Sequence, residues 1–228
     1  MTTPFRVAMT RLLMASALPF LASAAHAQAF HNGSFELPGV AAGTQKDISS
    51  TADAPTGWVP GGTLGGFSLF YEGSGSFGVI PQDGANVIGF GGNGNSGATL
   101  SQTFDTVVGD SYTVTFYTAA QQIGNGPQSF KAEAFNGSMS LGNISGAIPE
   151  NANWVLHSFT FSAAGASSQL TFTDTSNGGA AININWALDN VGVKAESAAA
   201  VPEPGTWALM AAGLSAMVAL GRRRSART

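Results

Sequence analysis

Residues 111–118 read SYTVTFYT, and the fold of the chain turns on their period. A helix would place apolar side chains three or four positions apart. Here Tyr112, Val114 and Phe116 alternate with Thr113, Thr115 and Tyr117, the period of a strand with one buried face. β-Branched and aromatic residues fill the stretch, as a pleated surface favours. The same alternation continues downstream. HSFTFSA aligns His157, Phe159, Phe161 and Ala163, and QLTFTD aligns Leu170 with Phe172. Further strands are expected at 30–36, 66–72, 85–90, 98–104, 129–135 and 182–193. Between them stand the turn clusters GGNGNSG, VVGD, IGNGPQ, FNGS, AAGASS and DTSNGG. From Gln28 to Ala195 no helical period lasts beyond about two turns. Short strands at such spacings predict an all-β antiparallel β-sandwich, a jelly roll. No repeat period is present, which disfavours propellers and solenoids.

Charge narrows the function. The chain has 228 residues, 30 glycines, 10% charged residues and no cysteine. Between Gln28 and Ala200 twelve acids face three lysines, a balance of −9. An acidic body repels phosphate backbones, so nucleic acid is not an expected partner. Without cysteine there is no disulfide, thiolate metal site or cysteine nucleophile.

The arginines lie at the two ends. Residues 1–27 hold Arg6 and Arg11, an apolar run from Leu12 to Ala25, and small residues at Ala25 and Ala27. This is the layout of a secretory signal helix cut before Gln28. At the other end VPEPGTWALMAAGLSAMVALGRRR combines Pro202-Glu203-Pro204, an apolar run, and Arg222, Arg223 and Arg224. Its 17 residues from 205 to 221 would span roughly 25 Å as a helix, just short of a ~30 Å hydrocarbon core. Trp207 suits one interface, and the arginines would stay cytoplasmic. The expected order is therefore a signal peptide at 1–27 and a sandwich at 28–195. A linker at 196–204, a single transmembrane helix at 205–221 and a basic tail at 222–228 follow.

This tail resembles the PEP-CTERM sorting signal of Gram-negative bacteria that make exopolysaccharide. The resemblance implies processing by an exosortase-type membrane enzyme, with a transient inner-membrane anchor and then delivery to the cell surface or extracellular matrix. Two prolines hold the motif extended and outside the helix, where an enzyme can grip it. A second resemblance rests on NGSFELPG at 32–39, Gly57-Trp58, GATLSQTFDTVVGDSYTVTFYTA, KAEAFNG, WVLHSFTFSAAGASSQLTFTDTS and NWALDNVGV. Together these are similar to galactose-binding-like jelly-roll domains of bacterial choice-of-anchor proteins, to plant cell-wall domains and to some carbohydrate-binding modules. The resemblance implies an extracellular place and contact with polysaccharide.

It also implies a structural Ca²⁺ at Glu36 and Asp189, placed in the first and last strands. The competing reading is a bulge at Asp189 and Asn190, since calcium takes six to eight oxygens. For sugar contact, the amphipathic rings of Trp58 and Tyr71 are the candidates, set against plain core packing. Trp154 and Trp186 are expected in the core. GFGGNG at 89–94 has dinucleotide-loop spacing, but a strand follows where a helix is required, so it reads as a hairpin turn. No nucleophile elbow occurs, and turn chemistry accounts for Asp53, Asp83, Asp105, Asp110 and Asp174. The expectation is an exported, non-enzymatic protein of the cell surface or matrix that contacts exopolysaccharide. The alternatives are a purely structural matrix protein and a polysaccharide hydrolase.

Overall fold

A computed structural model describes residues 29–91, 96–121, 127–150, 153–176, 185–196 and 209–215. The expected signal peptide, cleavage site, Pro-Glu-Pro motif, Trp207 and arginine tail lie outside these residues. Within them, eleven strands form two antiparallel sheets. The strands are β1 (Gln45–Asp47), β2 (Val59–Gly62), β3 (Leu69–Gly73), β4 (Asn86–Phe90), β5 (Ala98–Asp105) and β6 (Ser111–Ala120). They continue with β7 (Gln128–Asn136), β8 (Met139–Ile148), β9 (Val155–Ser162), β10 (Ser167–Asp174) and β11 (Trp186–Glu196). Sheet A runs β1-β3-β4-β11-β6-β9 and sheet B runs β2-β5-β10-β7-β8. This is the expected all-β antiparallel sandwich.

The alternation seen in the sequence becomes the core. Tyr112, Val114 and Phe116 of β6, Phe159 and Phe161 of β9, and Leu170 and Phe172 of β10 all face the space between the sheets. Phe116 meets Phe130 and Phe172 edge-on at 5.4 and 5.0 Å between centroids. Trp186 stacks on Phe90 at 4.3 Å, and its indole N–H reaches Asp174 Oδ1 at 3.1 Å. Such pairs add directional packing to the burial of large apolar area.

Several expectations change. Residues 30–36 form no strand, because Asn32 and Phe35 have φ of 53° and 58°, outside the extended region. β8 showed no clear period because glycines 142 and 146 stand where its inward side chains would be. β2 is Val-Pro-Gly-Gly, which has no alternation to read. Trp154 is only half-buried. It lies on the outer face of sheet A against Val79, Val87 and Ala187, its indole N–H donating to the Ile80 carbonyl at 2.9 Å.

Residues 209–215 are helical and expose Leu209, Met210 and Leu214. Among the described residues no helix is long and apolar enough to cross a membrane.

Candidate functional site

The segment before β1 is built on Gly33. A methyl group there would lie 1.9 Å from the Val191 carbonyl oxygen. The glycine lets its own carbonyl accept the Val191 N–H at 2.9 Å, tying this segment to the last strand. Asn32 closes the turn. Its side chain donates to the carbonyls of Leu37 and Thr56 at 2.8 and 2.9 Å, and its own carbonyl accepts the Trp58 indole N–H at 3.0 Å.

Trp58 and Tyr71 are therefore not a sugar platform. Each is 1% exposed. Trp58 packs on Phe30 and Phe35, and the Tyr71 hydroxyl donates to the Phe35 carbonyl while accepting the Gly39 N–H. Both face the inter-sheet layer, where a pyranose cannot reach them.

Glu36 and Asp189 are brought to one place, but as a clamp. Glu36 Oε1 accepts the N–H groups of Ala85 and Asn86 at 2.8 and 2.9 Å, and Oε2 accepts the Asn86 amide at 3.1 Å. Asp189 Oδ2 accepts the N–H groups of Gln82 and Asp83 at 2.7 and 2.9 Å, and Oδ1 accepts that of Asn190 at 2.6 Å. The two carboxyl groups thus hold one loop, 82–86, at its two ends. Glu36 stands before β1, not in a strand. Asn190 has φ 48° at a register break in β11, which is the bulge weighed against a metal. All four carboxylate oxygens already take N–H donors. Among the described residues no group of three or more His, Asp or Glu is placed for a metal. The pair alone does not fit the oxygen cage that calcium requires. Burial pushes Asp189 up to about 7, against the downward pull of its three N–H partners.

The histidines are also accounted for. His31 exchanges two backbone bonds with the buried Gln102 amide, both 2.9 Å. His157 meets the Thr118 hydroxyl at 2.9 Å and stacks on Phe116, and burial pulls its pKa down. Thr118 is 0% exposed, so its hydroxyl has no access to a substrate.

The outer faces of the sheets remain. On sheet A, Phe70, Glu72, Val87 and Ala187 are buried, with Val79 and Trp154 packed against Val87 and Ala187. On sheet B the outer face is open and polar. Thr103, Gln169 and Phe135 stand in one row across β5, β10 and β7. With Gly137 and Ser167 they line a groove of about 200 Å³, in which Phe135 is half-buried and Thr103, Ser167 and Gln169 are exposed. The Asn136 amide donates to the Ser167 carbonyl at 3.1 Å and fixes one wall. An aromatic surface beside two hydroxyls and an amide is the chemistry of a small polar-ligand site. The sequence carried a signal for it: Phe135 has the outward parity of Lys131 and Glu133, opposite to Phe130, Ala132 and Ala134.

The profile of the DUF642 family, described as a protein of unknown function, matches residues 28–194. The chain belongs to this family. The PEP-CTERM protein-sorting motif matches residues 200–225. No curated protein matches. Among solved structures the DUF642 sandwich is similar to TmCBM61, solved in complex with β-1,4-galactotriose. The identity is 12% over 74% of this chain and 99% of that one, with a TM-score of 0.51. It is also similar to a CBM4 structure (13% identity, 74% and 100% covered, TM-score 0.48). The CBM22-1 xylan-binding domain from Paenibacillus barcinonensis Xyn10C is another (15%, 70% and 99%, TM-score 0.44). At these identities the likeness is one of fold. Family and tail agree with both resemblances read from the sequence.

Proposed function

We propose that this DUF642 protein is exported, sorted through its PEP-CTERM tail, and contacts polysaccharide on the outer face of sheet B. The observation that carries the binding site is the row Thr103–Gln169–Phe135 at the floor of an open groove. A pyranose face would stack on Phe135, and the amide and hydroxyls beside it would meet the sugar hydroxyls. Binding is the reading favoured, and four of the described carboxylates have structural roles. Glu36 and Asp189 hold a loop, Lys131 pairs with Glu133, and Glu72 is buried.

Delivery follows from the tail. The signal at 1–27 starts export and is cut before Gln28. The apolar run at 205–221 is the transient inner-membrane anchor, consistent with the exposed Leu209, Met210 and Leu214. An exosortase-type enzyme acts at Pro202-Glu203-Pro204, and the protein ends at the cell surface or in the matrix. Intact mass of the surface form tests this part: a species that still ends at Thr228 overturns it.

The sugar site is tested by affinity electrophoresis through the producing organism's exopolysaccharide and, as a defined probe, β-1,4-galactan. Phe135→Ala should weaken retardation by about tenfold or more, the scale of one lost aromatic contact. Its melting temperature should stay near that of the parent, because the ring is outside the core. Unchanged retardation in Phe135→Ala removes the groove as the site.

A further inference from the structure

Sheet A has a trough on its outer face. Gly89, Ala187 and Ala119 stand side by side across β4, β11 and β6. A row of such small residues leaves room for other groups to lie close to the backbone. Glu72 enters the trough from β3. It shares the face of Val87, its cross-strand neighbour, and its carboxyl lies across Gly89 on the space that a methyl group would take. Gln121 enters from the end of β6 and donates its amide to Glu72 Oε1. Asn185 stands between them, one residue before β11. Its carbonyl accepts the Gln121 N–H at 2.9 Å, which continues the pairing of Trp186 with Ala120. Trp186 and Leu188 belong to the inner core and Ala187 to the outer cluster, so by alternation Asn185 shares the trough.

Glu72, Gln121 and Asn185 are nearly sealed, at 0%, 8% and 2% exposure. Each brings an oxygen that finds no donor among the described residues: Glu72 Oε2, Gln121 Oε1 and Asn185 Oδ1. A buried acceptor without a partner is costly, and folded proteins keep few of them. Here three gather at one place, and one belongs to a carboxyl group. No described lysine supplies the counter-charge. Lys46 is bound to Asp53 and Lys131 to Glu133, and Lys194 stands near the far end of β11, roughly 25 Å from its start. A water molecule can donate to two of the oxygens, but it leaves an ionised carboxylate buried without a partner charge. A cation answers all three oxygens and the charge together. The contrast with Glu36 and Asp189 is direct, because the oxygens of that pair already take N–H donors.

We infer that Glu72, Gln121 and Asn185 form a cation site that takes one Ca²⁺. Carboxylate and amide oxygens are hard ligands and select a hard cation. Both oxygens of Glu72 with one from each amide supply four of the six to eight that calcium takes, and water supplies the rest. The larger, adaptable shell of Ca²⁺ suits this mixed set better than the strict octahedron of Mg²⁺. Stripped of the cation, Glu72 is a lone buried acid. The site lies on the opposite sheet from the sugar groove and does not depend on it.

The full chain, purified in mild detergent, is treated with EDTA, moved to chelator-free buffer at about pH 8 and titrated with Ca²⁺ in a calorimeter. One site per chain is expected, with Kd on the order of 0.1 mM, as befits a single carboxylate. Ca²⁺ at about 10 mM should raise the melting temperature by roughly 5–10 °C, and excess EDTA should return it. Glu72→Gln keeps the shape without the charge, and its Kd should weaken at least about tenfold. Asn185→Asp adds a second carboxylate and should tighten binding about tenfold, a gain that a merely packing role would not produce. Glu36→Gln should bind as the parent does. No uptake at about 10 mM Ca²⁺ leaves only water at these oxygens and overturns the proposal. So does binding that survives in Glu72→Gln, gains nothing in Asn185→Asp, or is lost instead in folded Glu36→Gln.

Discussion

Glu72 should make the protein lose stability as the pH rises from 4.5 to 7. Its side chain leaves the outer side of β3 and lies across Gly89, where a methyl group would come within 2.4 Å of Oε1. The residue is 0% exposed. Oε1 accepts the Gln121 amide, and Oε2 has no partner. Neither described ion pair involves it: Lys46 is bound to Asp53 and Lys131 to Glu133. Burial pushes the carboxyl up from 4.5 to about 7, with bonds from Gln121 and Ser76 pulling the other way. Below pH 4.5 the folded and unfolded chains are both protonated at this site. Between 4.5 and 7 the folded chain keeps a proton that the unfolded chain has lost, so stability falls with rising pH. Above 7 the loss is complete, and it amounts to roughly 3 kcal/mol.

Glu72→Gln keeps the shape and the acceptor for Gln121 but removes the titration. Urea unfolding at pH 4, 5, 6, 7 and 8, followed by tryptophan fluorescence, should show parent and variant converging at pH 4. They should separate to roughly 3 kcal/mol in favour of Gln by pH 8. Asp189, also raised to about 7, and His157, lowered by burial, titrate in both proteins and drop out of the difference. A difference that stays constant with pH refutes the reading of Glu72 as a neutral buried acid.

Gly33→Ala forces a methyl group into the Val191 carbonyl and should cost about 3 kcal/mol or more, because the obstacle is backbone and cannot rotate aside; a loss under about 1 kcal/mol in urea unfolding would show that this segment yields easily. Trp58→Ala should cost about 3–5 kcal/mol as a core cavity, while leaving polysaccharide retardation of the folded fraction unchanged; selective loss of retardation at full stability would return Trp58 to the binding site. Asp189→Ala leaves the N–H groups of Gln82, Asp83 and Asn190 without their acceptor, and amide exchange across 82–86 should rise while that of β6 stays slow; unchanged exchange in the loop would mean that Glu36 holds it alone.

The fold was legible because its information is local. SYTVTFYT, HSFTFSA and QLTFTD each state which side chains share a face, and β6, β9 and β10 bury those residues. Glycine-rich β8 and β2 stayed silent, since a strand whose side chains are missing has no period to show. The candidate site was legible only in part. Glu36 and Asp189 were brought to one loop as their motifs suggested, yet what they hold there is peptide N–H. Phe135 has outward parity, but β7 also carries Phe130 on its inner face, so an aromatic ring in this strand does not by itself mark a site.

By itself the sequence determined the class of fold, an acidic body, and a sorting tail whose order of proline, apolar run and arginine is read by composition alone. Only the tertiary structure decided which aromatic rings water can reach. Alternation assigns a side chain to one of two faces of a strand, but whether a face is covered depends on a second layer contributed by residues far away in the chain. For Trp58 that layer is Phe30, Phe35 and Phe172. Over Phe135 no such layer closes, and its ring is left at an open groove.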